Sequence, residues 1–233
     1  ATGQGTIAME SVQELPTVDY ILVPVGGGGL ITGVATLSKM LNPKIKVIGV
    51  EPAEAASMTA ALKAGEVVEL ESANTIADGT AVKAVGDKIL PYVQENVDDI
   101  LLVEDDELIG AFLDMVENHK MIVENSGLLS VAALKQLDCR GKKVVCLLSG
   151  GNMDVITMSS IVQHGLVQVA KTIADEQGNV IKLEHNQFVS TNRNAAVELR
   201  ITMEAFGTEH KNRILDALEK KGFRPKLIGA KLY

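Results

Sequence analysis

Two glycine-bearing turns hold the atoms best suited to chemistry in this chain of 233 residues. The first, Gly26-Gly27-Gly28-Gly29, follows an apolar stretch over residues 20–25 and precedes a helical pattern over residues 30–41. Bare backbone N–H groups at a strand-to-helix turn point, together with the positive end of the helix, at whatever anion lies above the sheet. Glycine also serves tight turns and close helix packing, but four in succession cost more unfolded-chain entropy than a turn requires. The pattern reads as a phosphate cradle. The second turn, Ser149-Gly150-Gly151-Asn152, follows an apolar strand pattern over residues 144–148. Two such strand ends in one parallel sheet could hold one ligand at two points, its phosphate on the glycines and a polar ring atom on the Ser149 hydroxyl. A serine beside glycine also starts turns and caps helices, so the pair of elements is the stronger signal.

Other constellations carry less. Glu51 follows the glycines at about the 20-residue distance of a ribose-binding acid in a dinucleotide fold. The glycine spacing opposes that reading, since Gly33 falls three after Leu30 and not after a glycine. Thr75-Ile76-Ala77-Asp78-Gly79 is a polar stretch that by itself reads as a simple turn. His119, His164, His185 and His210 share no spacing with cysteines or carboxylates that would suit a metal. Cys139 and Cys146 lie in or near an apolar strand, outside any metal-ligand spacing, which predicts buried reduced thiols and no disulfide.

Composition narrows the partners. The chain is 46% apolar, enough for one large core or a core and a smaller module. Its net charge of −8, without a Lys/Arg block, argues against a nucleic-acid or anionic-membrane surface and for a small-molecule ligand. No apolar run approaches transmembrane length and no charged-then-apolar leader is visible, so a cytoplasmic location is expected.

The elements that must position these turns alternate. Strand patterns at residues 20–25, 47–50, 100–103 and 144–148 are separated by helical patterns at 30–41, 55–64, 106–120 and 126–137. This predicts an α/β fold, a parallel sheet flanked by helices with ligands at the carboxyl ends of the strands. Near Gly165 the order changes to helix (167–177), strand (180–185), strand (196–204), helix (209–221) and a short strand (226–228), a small α+β module with a hairpin tip between Val189 and Ala195. The division expected is residues 1–165 and 166–233.

With the tetraglycine, the Ile76-Ala77-Asp78-Gly79 loop and the Leu148-Ser149-Gly150-Gly151-Asn152 turn in this order, the chain resembles the threonine dehydratases, also called threonine ammonia-lyases. These are pyridoxal-phosphate enzymes of the tryptophan-synthase-β fold type. Gly3-Gln4-Gly5-Thr6-Ile7-Ala8-Met9-Glu10, Pro24-Val25 ahead of the glycines, Leu30 after them and Gly49-Val50-Glu51-Pro52 belong to the same match. The tail from Val167, with Gly178-Asn179-Val180 and Leu183-Glu184-His185, resembles the ACT-type regulatory domain found behind many such enzymes.

The resemblance implies that Gly26, Gly27, Gly28, Gly29 and Leu30 hold the cofactor phosphate. It places Ser149 at the pyridine nitrogen, and Asp78 and Gly79 near the reacting group. A neutral hydroxyl cannot keep the ring nitrogen protonated as a carboxylate would, so the ring is a weaker electron sink and loss of a β-hydroxyl competes well with racemisation or transamination. In some relatives a divalent cation sits at the positions of Glu51 and the Ala55 carbonyl, with an acid at the place of Ser57. That acid is missing here, and a hard cation prefers more than one charged oxygen.

Two departures bear on activity. The family's lysine lies in a Ser-x-Lys-x-Arg-Gly segment ahead of the Gly-Gln-Gly-Thr motif, and no lysine of this chain has that context. Residues 163–167 also run straight into a helix where the family has a strand and an Asp-x-Pro-Gly loop. The chain is therefore expected to be the second part of a lyase deaminating L-threonine, and L-serine, to the 2-oxo acid and ammonia, followed by an ACT-like module lacking its first strand. It would show no catalytic residue of its own, would be inactive in isolation, and would expose a sheet edge and an apolar face. The complete enzyme would be a homo-oligomer that takes an amino-acid substrate and an amino-acid or nucleotide effector. A serine racemase or serine dehydratase, and a non-catalytic binding module acting with a partner chain, are the rival readings.

Overall fold

Continuous apolar runs build the sheet. In the computed structural model, which describes residues 1–186, 198–221, 223 and 225–229, strand β1 (Tyr20–Pro24) buries Ile21, Leu22 and Val23 completely. Burial on both faces is what a parallel strand flanked by helices requires. Strand β1 is preceded by helix α1 (Gly5–Glu14) and followed by helix α2 (Gly29–Leu41), strand β2 (Lys46–Pro52), and helices α3 (Ser57–Ala64) and α4 (Leu90–Asn96). Strand β3 (Asp99–Val103), helix α5 (Asp105–Asp114), helix α6 (Asn125–Ala132) and strand β4 (Val144–Cys146) come next.

The four strands are parallel in the order β3-β2-β1-β4. The order reverses beside β1, so a crevice opens at the carboxyl ends of β1 and β4, the place where open α/β sheets take their ligands. Both glycine turns leave the sheet there. The core beneath is formed by Ala8, Ile21, Val23, Ile31, Val34, Val47, Met58 and Val93 among others. Gly33, weighed above as a third cofactor glycine, serves helix contact instead: a Cβ on it would lie 2.4 Å from Ala1 C=O and 2.9 Å from Gln4 Cβ.

The chain separates into two compact units, one of residues 1–108 and 123–152, the other of residues 109–122 and 153–233. In the second, helix α7 (Val155–Asp175) runs without a break through residue 165. It begins at Asp154, whose carboxylate caps it by accepting from the N–H groups of Ile156 and Thr157 at 2.8 and 2.9 Å. Strands β5 (Asn179–Asn186) and β6 (Glu198–Glu204) pair antiparallel and are followed by helix α8 (Gly207–Lys220). Val169, Ile173, Ile214 and Leu218 form its core with Val180, Ile201 and Met203.

Several expectations are corrected. The helix foreseen from residue 167 is the latter part of the 21-residue α7, hidden because Val155 and Ile156 stay exposed and break the amphipathic pattern. The helix foreseen over 106–120 changes from α to π geometry at Met115–His119 and ends at Lys120, which has φ +56°. Residues 226–228 form no strand: Leu227 and Ile228 are exposed, and no neighbouring strand among the described residues takes their hydrogen bonds. Strand β4 stops at Cys146, and α6 tightens into a 3-10 turn at Ala133–Gln136. The two thiols are free but half-buried, Cys146 on the edge strand β4 and Cys139 in the segment before it. The hairpin tip expected at 189–195 lies outside the described residues. Among the described residues no helix is long and apolar enough to cross a membrane.

Candidate cofactor site

The four glycines divide into two kinds. Gly28 is the N-cap of α2, with φ +85°, a left-handed conformation that L side chains rarely adopt. A Cβ there would also lie 2.5 Å from Ile89 Cγ2 and 2.6 Å from Met58 Cε. Gly26 packs against the next loop, its Cβ position 3.1 Å from Thr80 Cα. Gly27 and Gly29 are different, since a Cβ on either would meet nothing within 4 Å. Neither packing nor a positive φ explains them, and bare Cα atoms over free space are what close approach of a ligand demands. Helix α2 has no side-chain cap and no acid in its first turn. Its leading N–H groups, those of Gly29, Leu30 and Ile31, have no partner within the helix and lie at the positive end of its dipole.

Across the crevice, β4 continues its ladder one step, with Leu147 N–H donating to Leu22 C=O at 3.1 Å. The Leu22–Cys146 pair is the last of that ladder, and Ser149 follows it three residues on, past the same end of the sheet as the glycines. Ser149 is exposed. The turn after it rests on α6: a Cβ on Gly127 would lie 3.1 Å from Ser149 N and 3.2 Å from Gly150 N.

A third loop completes the group. Thr75 to Gly79, which alone reads as a simple turn, is held in place from two helices. The half-buried Asp105 carboxylate of α5 accepts from Thr75 Oγ1 at 2.5 Å and from Ile76 N–H at 3.0 Å, and Asn125 Nδ2 of α6 donates to Ile76 C=O at 2.9 Å. The loop closes in a 3-10 turn, Asp78–Thr80, against Gly26. Asp78 is exposed, and its Oδ1 accepts from Gly79 N–H at 2.9 Å. A Cβ on Gly79 would lie 2.9 Å from Ser126 Oγ, a buried hydroxyl without a protein partner. The fold thus brings Gly26 to Leu30, Asp78, Gly79 and Ser149 to one end of the sheet. It adds Glu124-Asn125-Ser126-Gly127, which sequence reasoning missed; small polar residues opening a helix are the signal that could have shown them.

Glu51 and Ala55 lie elsewhere, at the end of β2 and in the turn after it. Glu51 is fully buried, and both its oxygens are taken: Oε1 accepts from Met58 N–H at 2.7 Å, Oε2 from Thr59 N–H at 2.9 Å and Thr59 Oγ1 at 2.6 Å. This caps α3. Burial raises its pKa above the usual carboxylate range, and the three hydrogen bonds oppose the rise. Among the described residues no group of three or more His, Cys, Asp or Glu could hold a metal ion.

The donors fit pyridoxal phosphate: open N–H groups at a helix N-terminus for the phosphate, room over Gly27 and Gly29, and a neutral hydroxyl across the crevice for the ring nitrogen. Comparisons with known proteins agree. A sequence model of the family described as "Pyridoxal-phosphate dependent enzyme" matches residues 1–150. The L-threonine ammonia-lyase of Thermotoga maritima is 35% identical over 97% of this chain and 62% of its own length. The processed form of threonine deaminase isoform 2 from Solanum lycopersicum superposes with TM-score 0.66 and 38% identity over 69% of this chain and 48% of that one. Maize serine racemase superposes with TM-score 0.63 and 36% identity over 71% and 52%. The chain therefore spans between about half and three fifths of the length of these proteins. Matched in sequence over residues 1–150 and in fold to these enzymes, the chain belongs to the family of pyridoxal-phosphate dependent enzymes.

Proposed function

We infer that this chain provides the phosphate cradle and ring-nitrogen contact of a lyase that deaminates L-threonine, and L-serine, to 2-oxobutanoate or pyruvate and ammonia. The observation that carries the reading is the pair Gly27 and Gly29, bare over open space at the N-terminus of α2, with Ser149 across the crevice. Bound there, pyridoxal phosphate supplies an electron sink for the substrate's Cα. The N–H groups of Gly29 and Leu30 hold the phosphate without a cation. The Ser149 hydroxyl holds the ring nitrogen without fixing a proton on it, which moderates the sink and favours β-elimination. Asp78 and Gly79 lie near the reacting group.

Proton abstraction in this reading falls to a lysine in the family's Ser-x-Lys-x-Arg-Gly context, a context that no lysine among these 233 residues has. Glu51 acts as the cap of α3, and its three donors support that role over a metal site at Glu51 and Ala55. The helix–strand–strand–helix order of the second unit supports reading it as an ACT-like module, with residues 166–233 as its core and an amino-acid or nucleotide effector as its ligand.

The test is formation of 2-oxobutanoate from L-threonine with added pyridoxal phosphate, by this chain alone and by a protein that joins it to a lysine-bearing first part. Product from the joined protein alone is expected. Product from neither removes the lyase reading, and product from this chain alone removes the requirement for that lysine. The similarity to maize serine racemase keeps a second reading in view. D-serine formed from L-serine faster than pyruvate would select it.

A further inference from the structure

Glu124 grips the turn that carries Ser149 from two sides. Its backbone N–H donates to Gly150 C=O at 3.3 Å, and its Oε2 accepts from Asn152 N–H at 3.2 Å. It stands at the N-cap of α6, yet its carboxylate gives that helix no capping bond. An N-cap carboxylate ordinarily accepts from the N–H two or three residues on; here it is turned away, onto the turn. Oε1 presses against Gly150 so closely that a Cβ there would lie 2.1 Å from it, and the same oxygen lies 3.6 Å from a Cβ position on Gly79. One carboxylate oxygen therefore faces the glycines of both loops that flank the crevice. The backbone of Gly127 supports the Ser149–Gly150 step from behind.

We propose that Glu124 is a positioning residue for Ser149. It fixes the turn over residues 149–152 so that the exposed hydroxyl is held at the pyridine nitrogen, and it acts on the cofactor only through that turn. A side chain at position 150 would displace this carboxylate from the turn. The proposal rests on the cofactor reading given above.

The test uses the full chain with five sequences: unsubstituted, Glu124→Ala, Ser149→Ala, the double variant of these two, and Glu124→Gln as the rescue. Pyridoxal phosphate is titrated against each by its absorbance, and the Asn152 amide is followed by NMR without cofactor. Each single variant should raise Kd about tenfold, the loss of one hydrogen bond, and the double should be no weaker than about either single, because both act at one contact. The Asn152 amide should shift and exchange about tenfold faster in Glu124→Ala, while Glu124→Gln, which keeps an acceptor oxygen, should restore it. An unchanged Asn152 amide, or losses that multiply to about a hundredfold in the double variant, overturns the positioning role. Failure of the unsubstituted chain to take up the cofactor instead overturns the cofactor reading, and the role of Glu124 toward it falls with that reading.

Discussion

Met58 Cε lies 2.6 Å from the point where a Cβ on Gly28 would stand, whereas no atom lies within 4 Å of that point on Gly27 or Gly29. One run of glycine thus serves two purposes. Gly28→Ala should destabilise the chain by about 2–5 kcal/mol, from a left-handed backbone and an overfilled contact. Gly27→Ala and Gly29→Ala should change stability by no more than about 1 kcal/mol but weaken pyridoxal phosphate binding, since their methyl groups enter the ligand's space. Urea denaturation beside cofactor titration separates the two effects. Equal stability losses at all three positions would refute this division.

Asp105 fastens the loop at Thr75 and Ile76 by two hydrogen bonds to a carboxylate. Asp105→Ala should free that loop at a cost of about 1.5–3 kcal/mol, and Asp105→Asn, which keeps one acceptor, should cost less. Amide exchange at Ile76 and the cofactor Kd should rise together. A loop that stays protected in Asp105→Ala would show that Asn125 holds it alone.

Burial raises the Glu51 pKa in the folded chain, so the folded state binds its proton more tightly than the unfolded state. Between the ordinary glutamate value of about 4.3 and the raised one, unfolding releases a proton. The contribution of Glu51 to stability is therefore largest below that window and declines as pH rises through it. The stability of the unsubstituted chain minus that of Glu51→Gln should fall across this range. A difference that grows with pH would reverse the sign.

Burial, with Cys139 as a lesser influence, pushes the Cys146 thiol up to about 11. At pH 7.5 its thiolate fraction should be at least about a hundredfold below that of an ordinary thiol near 8.5. Peptide-resolved alkylation should show Cys146 reacting at least that much more slowly than a short unstructured peptide thiol. Comparable rates would mean that edge strand β4 opens readily.

The sequence by itself determined the local features. Alternating apolar runs and helical patterns predicted the parallel sheet, because burial on both faces leaves a continuous signature in β1 and β2. The tetraglycine and the Ser149 turn were read as ligand-binding turns from bare N–H groups after a strand, and the family's motifs named the cofactor. Only the tertiary structure decided what depends on residues distant in the chain. It showed that Gly28 and Gly33 are needed for packing while Gly27 and Gly29 are not, since only folded neighbours make that distinction. It showed Thr75 to Gly79, which alone reads as a plain turn, to be fastened beside Gly26 through Asp105 and Asn125. It occupied Glu51 with α3 and set Glu124 against Gly150, pairings separated by 7 and 26 residues that no periodicity records. The sheet brings strand ends together whatever their distance along the chain, so a site built at its switch point is assembled by topology rather than by spacing.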